Sequence, residues 1–203
     1  MGEFHLKTPL TEKDVRSLKL GDVVYLTGTI ITARDQAHRR ALEYVSKGLR
    51  LPLNFEGSAI YHAGPIALKT DKGWKVVAAG PTTSTRMEKL EAEFIEKLGV
   101  RMVIGKGGMG LKTSEAMKRF GAVYCAFTGG AAILAANAVK SVRSVEWLDL
   151  GAPEALWSLE VENFGPLLVA IDSYGENLYL NVIRNAEAKV KALLDLWRGK
   201  ALA

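Results

Sequence analysis

Residues 23–48 read VVYLTGTIITARDQAHRRALEYVSKG, and two periods meet in them. The first ten are rich in β-branched side chains and fit a strand. Arg34-Asp35 interrupts that pattern. Ala37, Ala41, Tyr44 and Val45 then recur at helical spacing until Gly48 stops the run. A strand feeding a helix through a short polar link is the building unit of an α/β fold.

The same change of period recurs in both directions. Upstream, Thr11 to Leu18 opens as a short helix, with Thr11 as N-cap and Asp14 three residues on. Downstream, residues 58–79 hold two strand-like pieces, SAIYHAG and WKVVAAG, with a turn at Asp71-Lys72-Gly73. In GPTTSTRMEKLEAEFIEKLG, residues 80–99, one helical face carries Met87, Leu90, Phe94, Ile95 and Leu98, and Gly99 ends it. VRMVIG is a short buried strand, GKGGMG a glycine loop, Thr113 to Phe120 a helix and AVYCAFT a strand. The small residues of GGAAILAANAV form a helix that must pack closely. Strands are expected near Val142–Leu150, Ser158–Val161 and Leu167–Ile171, and past the turn at Tyr174-Gly175 another at Leu178–Ile183. A last helix aligns Val190, Leu193, Leu194 and Trp197. No repeat or linker divides the chain, so residues 1–203 read as one α/β domain with a mixed strand order.

Composition narrows the function. The 203 residues are 48% hydrophobic and 24% charged, which suits a globular domain. The longest apolar stretch, Ala131 to Val139, is far too short for a bilayer. The N-terminus lacks the order of a secretory signal. One cysteine, Cys125, rules out a disulfide framework and any cluster built from this chain's thiolates alone. A cytoplasmic location follows as the default. The 27 basic residues against 22 acidic ones leave +5, spread without a basic stripe. That favours a small anion over nucleic acid.

Three strand ends carry chemistry. At Gly80 to Arg86 the hydroxyls of Thr82, Thr83, Ser84 and Thr85 reach a helix start, where unpaired N–H groups attract anions. Arg86 is a cation in a first turn, which is unfavourable unless something negative lies near. At Arg34 to Arg40, Asp35 can cap a helix and meet His38 one turn in, giving a group that exchanges protons near neutrality. His62 is a weaker candidate, read as a strand residue near a turn. The loop Gly105 to Gly110 matches G-x-G-x-x-G, but no acid follows about twenty residues on, so a nicotinamide fold is not supported. It reads instead as a loop presenting Lys106. Arg34, Arg86 and Lys106, with threonine hydroxyls, suit a substrate bearing more than one carboxylate.

DVVYLTGTIITARDQAHRR, AIYHAGPI, GPTTSTRM, GKGGMG and LGAPEALW with VENFGPLLVAID occur in this order between about Asp22 and Asp172. In that set the chain resembles the β-subunit, or C-terminal domain, of the iron–sulfur (class I) fumarate hydratase and L-tartrate dehydratase family. The resemblance implies a single swivelling β/β/α domain, with a mixed sheet and flanking helices. It implies a heteromeric hydro-lyase whose [4Fe–4S] cluster sits on a partner alpha subunit and takes no ligand from this chain. It maps substrate binding onto Arg34, Thr83, Arg86 and Lys106, and catalysis onto Thr82 and His38. Fumarate hydration is the leading activity implied, L-tartrate dehydration the nearest alternative, and a non-catalytic anion-binding domain a more distant one. The implied partners are that alpha subunit and a small dicarboxylate, with neither nucleic acid nor membrane.

Overall fold

The computed structural model describes residues 1–71 and 73–201. Lys72 of the expected turn lies outside the described residues. In order come β1 (Glu3–Lys7), α1 (Glu12–Arg16), β2 (Val23–Thr32), α2 (Asp35–Ser46), β3 (Ala59–Tyr61), β4 (Ile66–Thr70) and β5 (Gly73–Ala78). A 3₁₀ turn at Ser84–Met87 leads into α3 (Glu88–Leu98). Then follow β6 (Met102–Gly105), α4 (Leu111–Phe120), β7 (Val123–Ala126), α5 (Ala132–Ala138), β8 (Val139–Glu146), β9 (Leu156–Ile171) and α6 (Leu178–Ala201). The fold is α/β, with a mixed sheet and flanking helices. The β2 and α2 boundaries follow the two periods read in residues 23–48. Thr11 and Asp14 form the reciprocal cap expected for α1.

The main sheet runs β1-β2-β3-β6-β7-β9-β8, and β9 also pairs with β2. Strands β1, β2, β3, β6 and β7 are parallel, while β9 is antiparallel to β2, β7 and β8. Period-two alternation splits the apolar residues into two cores. Tyr61, Met102, Ile104, Cys125, Trp157 and Phe164 share one. Ile60, Val103 and Tyr124 join the other, with Phe94, Ile95 and Met117 of the helices α3 and α4.

Two expectations are corrected. Ser158–Val161 and Leu167–Ile171 are halves of one 16-residue strand, β9. Between the halves lie Asn163, in a left-handed conformation (φ 49°), and Gly165. They bend the strand without ending it, so its first half pairs with β8 and its second with β7. Leu178–Ile183 is no strand but the start of α6. Asn177 decides this, because its Oδ1 accepts the N–H groups of Tyr179 and Leu180 and caps the helix. The close packing of α5 is present: the N–H of Ala79 donates to the Ala132 carbonyl at 3.0 Å. A Cβ on Gly80 would lie 3.3 Å from that of Ala132. On α6, Val190, Leu193, Leu194 and Trp197 are exposed.

Candidate active site

Strands β2, β3 and β6 lie side by side and end level. Thr32 pairs with Tyr61, and Tyr61 with Ile104. The residues just beyond these ends therefore share one edge of the sheet, where α/β folds gather their ligands. They are Arg34, His62 and Lys106. The Gly80–Arg86 segment crosses the same edge, held by backbone bonds from Thr82 N–H to the His62 carbonyl (2.6 Å), Lys106 N–H to the Thr82 carbonyl (3.3 Å) and Ser84 N–H to the Lys106 carbonyl (2.9 Å). Arg86 Nη2 meets Asp35 Oδ2 at 2.6 Å, which brings it beside the start of α2. Residues far apart in the chain are thus assembled at one mouth.

Their side chains differ in availability. Thr83, Thr85 and Arg86 are exposed, and Arg34, Thr82 and Lys106 half-buried. Ser84 is fully buried and points away, its hydroxyl against His62 and Tyr124. The negative group that Arg86 requires is Asp35. Burial favours the neutral form of Asp35, but the bond and charge of Arg86, the backbone N–H of Asp35 and the charge of Arg34 together outweigh it and hold the carboxyl below its usual range. Asp35 does not cap α2 by its side chain, as expected from sequence. Arg34 is the N-cap residue, and Glu154 from the loop before β9 accepts the Gln36 N–H at 2.9 Å. The other Glu154 oxygen pairs with Arg34 at 3.2 Å. Sequence reasoning missed Glu154, which lies over a hundred residues from its partners and follows no local pattern.

His38 does not open onto this mouth. Its side chain is wholly buried, with Nδ1 2.8 Å from the Arg34 carbonyl and Nε2 3.3 Å from Glu91 Oε2. His62 brings its Nε2 to the same oxygen at 3.0 Å, and its Nδ1 lies 3.0 Å from Ser84 Oγ. Neither Nε2 contact is well aligned as a hydrogen bond, so charge holds the carboxylate more than direction does. Glu91 had a legible signal: it falls between Met87 and Phe94 on the apolar stripe of α3, where a carboxylate needs a buried partner.

Burial opposes charge on His38, yet the Glu91 carboxylate and the Arg34 carbonyl outweigh it and raise its pKa. In His62 burial prevails and the pKa falls. Glu91 is brought down to about 2 from 4.5, because the two imidazoles overcome its burial. The sign of the pH dependence follows. His62 contributes stability above pH 6.5 and loses it on acidification, and Glu91 loses its share as the pH falls from 4.5 toward about 2. His38 contributes fully below pH 6.5 and loses its share as the pH rises through its raised pKa. The stabilisation that the wild-type chain holds over Glu91→Gln should therefore peak between about pH 4.5 and 6.5 and shrink on both sides. Thermal melts of the two chains across pH check this, and a flat difference would refute it.

A profile of the family described as Fumarase C-terminus matches residues 2–182. The L(+)-tartrate dehydratase subunit beta of Escherichia coli (strain K12) is 48% identical over 173 residues, covering 85% of each chain. The putative subunit beta of the same name from Methanocaldococcus jannaschii is 48% identical over 188 residues, 92% of this chain and 96% of that one. This chain belongs to the fumarase C-terminal family. A putative class I fumarate hydratase of Geobacillus stearothermophilus is 41% identical over 186 residues, 91% of this chain but 35% of that longer one. The beta-type family member described here is thus a component of a hydro-lyase.

Its own residues do not fit an iron–sulfur cluster, which is held by several thiolates. Cys125 is the single cysteine, fully buried in β7, and burial pushes its thiol pKa up, against the thiolate. The glycine loop does not offer a dinucleotide site either. The N-terminus of α4, which would face a pyrophosphate, is filled by Glu88, whose carboxylate takes the Gly110 N–H (2.6 Å) and the Thr113 hydroxyl (2.8 Å). No helix among the described residues is long and apolar enough to cross a membrane.

Proposed function

We propose that this chain is the beta subunit of a two-component fumarate hydratase, which hydrates fumarate reversibly to malate. The carrying observation is the meeting of Arg34, Thr82, Thr83, Arg86 and Lys106 along one edge of the sheet. In this reading Arg34, Arg86 and Lys106 grip the two carboxylates and stabilise the charge that develops when a proton leaves the adjacent carbon. Thr83 adds a hydroxyl to that grip, and Thr82 assists proton transfer. His38 acts from behind, through the backbone of Arg34. The [4Fe–4S] cluster belongs to an alpha subunit, for which Cys125 is no substitute, and the working enzyme is a cytoplasmic hetero-oligomer. The exposed apolar stripe of α6 is a surface of the kind that subunits cover. Residues 1–203 form a single beta-type domain.

L-tartrate dehydration is the second reading, favoured by the 48% identity to tartrate dehydratase beta subunits against 41% to the fumarate hydratase. The substrates differ in hydroxylation, and one pocket contact is enough to separate them. Anaerobic reconstitution with the candidate alpha subunit, assayed on fumarate, malate and L-tartrate, decides between them. The chain alone should be inert, and inactivity of the rebuilt pair on all three would leave only an anion-binding domain. Lys106→Ala should lower kcat/KM by about tenfold to a hundredfold, the loss of one charge-assisted bond of ~1.5–3 kcal/mol. Unchanged kinetics would remove Lys106 from the grip.

A further inference from the structure

The buried polar groups behind the mouth connect into one chain, through hydrogen bonds and, at Glu91, through two close charge contacts, and its protons can be placed. The Tyr124 hydroxyl lies by the glycine loop, beside the backbone of Gly108. Tyr124 donates to Ser84 Oγ at 3.1 Å. Ser84 then has its own hydrogen to give His62 Nδ1, 3.0 Å away, so that nitrogen accepts and Nε2 carries the hydrogen toward Glu91. From the other end, the Arg34 carbonyl can only accept, so His38 Nδ1 carries a hydrogen. His38 Nε2 faces the same Glu91 oxygen. A bare lone pair there would repel the carboxylate, so this nitrogen is protonated as well. His38 is then an imidazolium, Glu91 a carboxylate and His62 a neutral ring.

We infer that Tyr124, Ser84, His62, Glu91 and His38 form a buried wire with one fixed arrangement of protons, which positions the three strand-end segments against one another. Its ends and middle are the backbone of Arg34, the residue between Thr83 and Thr85, and the glycine loop that carries Lys106. None of the five side chains touches the mouth, so these are positioning residues. Of other charged groups, Asp35 on the same helix as His38 acts on both rings and favours their charged forms. The rival occupant of the three convergent ligand atoms, which lie within 4.8 Å of one another, is a divalent metal ion. It would require a lone pair on His62 Nε2, where the wire puts a hydrogen.

The wire itself is tested on the full chain without its partner, by ¹⁵N spectroscopy of the histidine rings across pH. One ring should stay doubly protonated above the ordinary histidine pKa of 6.5 and a second should keep the neutral Nε2–H form below it, assigned by His38→Gln and His62→Gln. Joint titration of both rings near neutrality, or one equivalent of zinc or iron in metal analysis, would overturn the wire. Positioning rests on the function proposed above and is read in the reconstituted pair. Ser84→Ala, a small change that also guards against misfolding of Glu91→Gln, should leave His62 in the Nε2–H form held by Glu91, and should strip Nδ1 of its donor and shift the Nδ1 signal. It should lower kcat about tenfold with a smaller change in KM, the scale of one buried hydrogen bond. A shifted Nδ1 signal with unaltered kinetics and pH profile would refute positioning. An inactive unmodified pair would instead refute the proposed function, with the ring signals still deciding the wire.

Discussion

Arg86→Ala should lower kcat/KM of the reconstituted enzyme by about 10²–10³, or ~2.7–4 kcal/mol of transition-state stabilisation. Its folding stability should hardly change. The contrast between these effects is what assigns the residue. Arg86 is about half exposed (47%), and its one ion pair among the described residues is with Asp35. An exposed pair of that kind contributes at most ~1 kcal/mol. If holding Asp35 were the whole role of Arg86, the alanine variant would lose that much stability and keep its activity. A carboxylate grip predicts the reverse, because in that reading the developing charge meets the guanidinium directly. Arg86→Lys separates charge from shape. An ammonium keeps the charge but lacks the planar fork, so most of the loss should persist. Asp35→Asn, which frees the guanidinium, should have the smaller effect on kcat/KM. Steady-state kinetics with matched melting curves read all three, and an alanine variant with normal kcat/KM would end the carboxylate-grip reading.

The parts of this molecule legible in sequence are those whose cause is local. Residues 23–48 announce their strand and helix because side-chain period is a property of neighbours. Arg34, Arg86 and Lys106 were legible as cations at strand ends, and parallel pairing then brings those ends level. The remainder depends on contacts between distant segments. Nothing near Glu154 says that it will cap α2 and hold Arg34, since the loop before β9 reaches that helix only through the pairing of β9 with β2. His38 and His62 were read separately, one as an active-site group and the other as a strand residue near a turn. Their shared carboxylate lies on a third element, so the wire joining them has no sequence motif. The misreading of Leu178–Ile183 differs in kind, because the cap at Asn177 was visible and the apolar run after it was given too much weight.

Trp157 shows how far the mouth depends on remote packing, and Trp157→Ala should cost ~3–5 kcal/mol of stability. The indole is fully buried, edge-on to Trp74 with ring centroids 5.2 Å apart. Its Nε1–H donates to the Ala152 carbonyl at 2.8 Å, and its backbone N–H to Thr32 Oγ1 at 3.2 Å. Truncation therefore leaves a cavity and also strips the Ala152 carbonyl of its donor. For a chain of this length the melting temperature should fall by about 6–20 °C, at ~2–4 °C per kcal/mol. Trp157→Phe, which keeps most of the volume and loses the N–H, should cost only ~1–3 kcal/mol, the penalty for an unpaired buried acceptor. The loop fixed by that bond carries Glu154, so the consequence reaches the site. With the loop loosened, Arg34 loses the carboxylate that orients it, and KM of the reconstituted enzyme should rise even where the chain is still folded. A tryptophan that only filled space would lower the melting temperature and leave KM alone. The phenylalanine variant, folded but without the Ala152 bond, distinguishes the two.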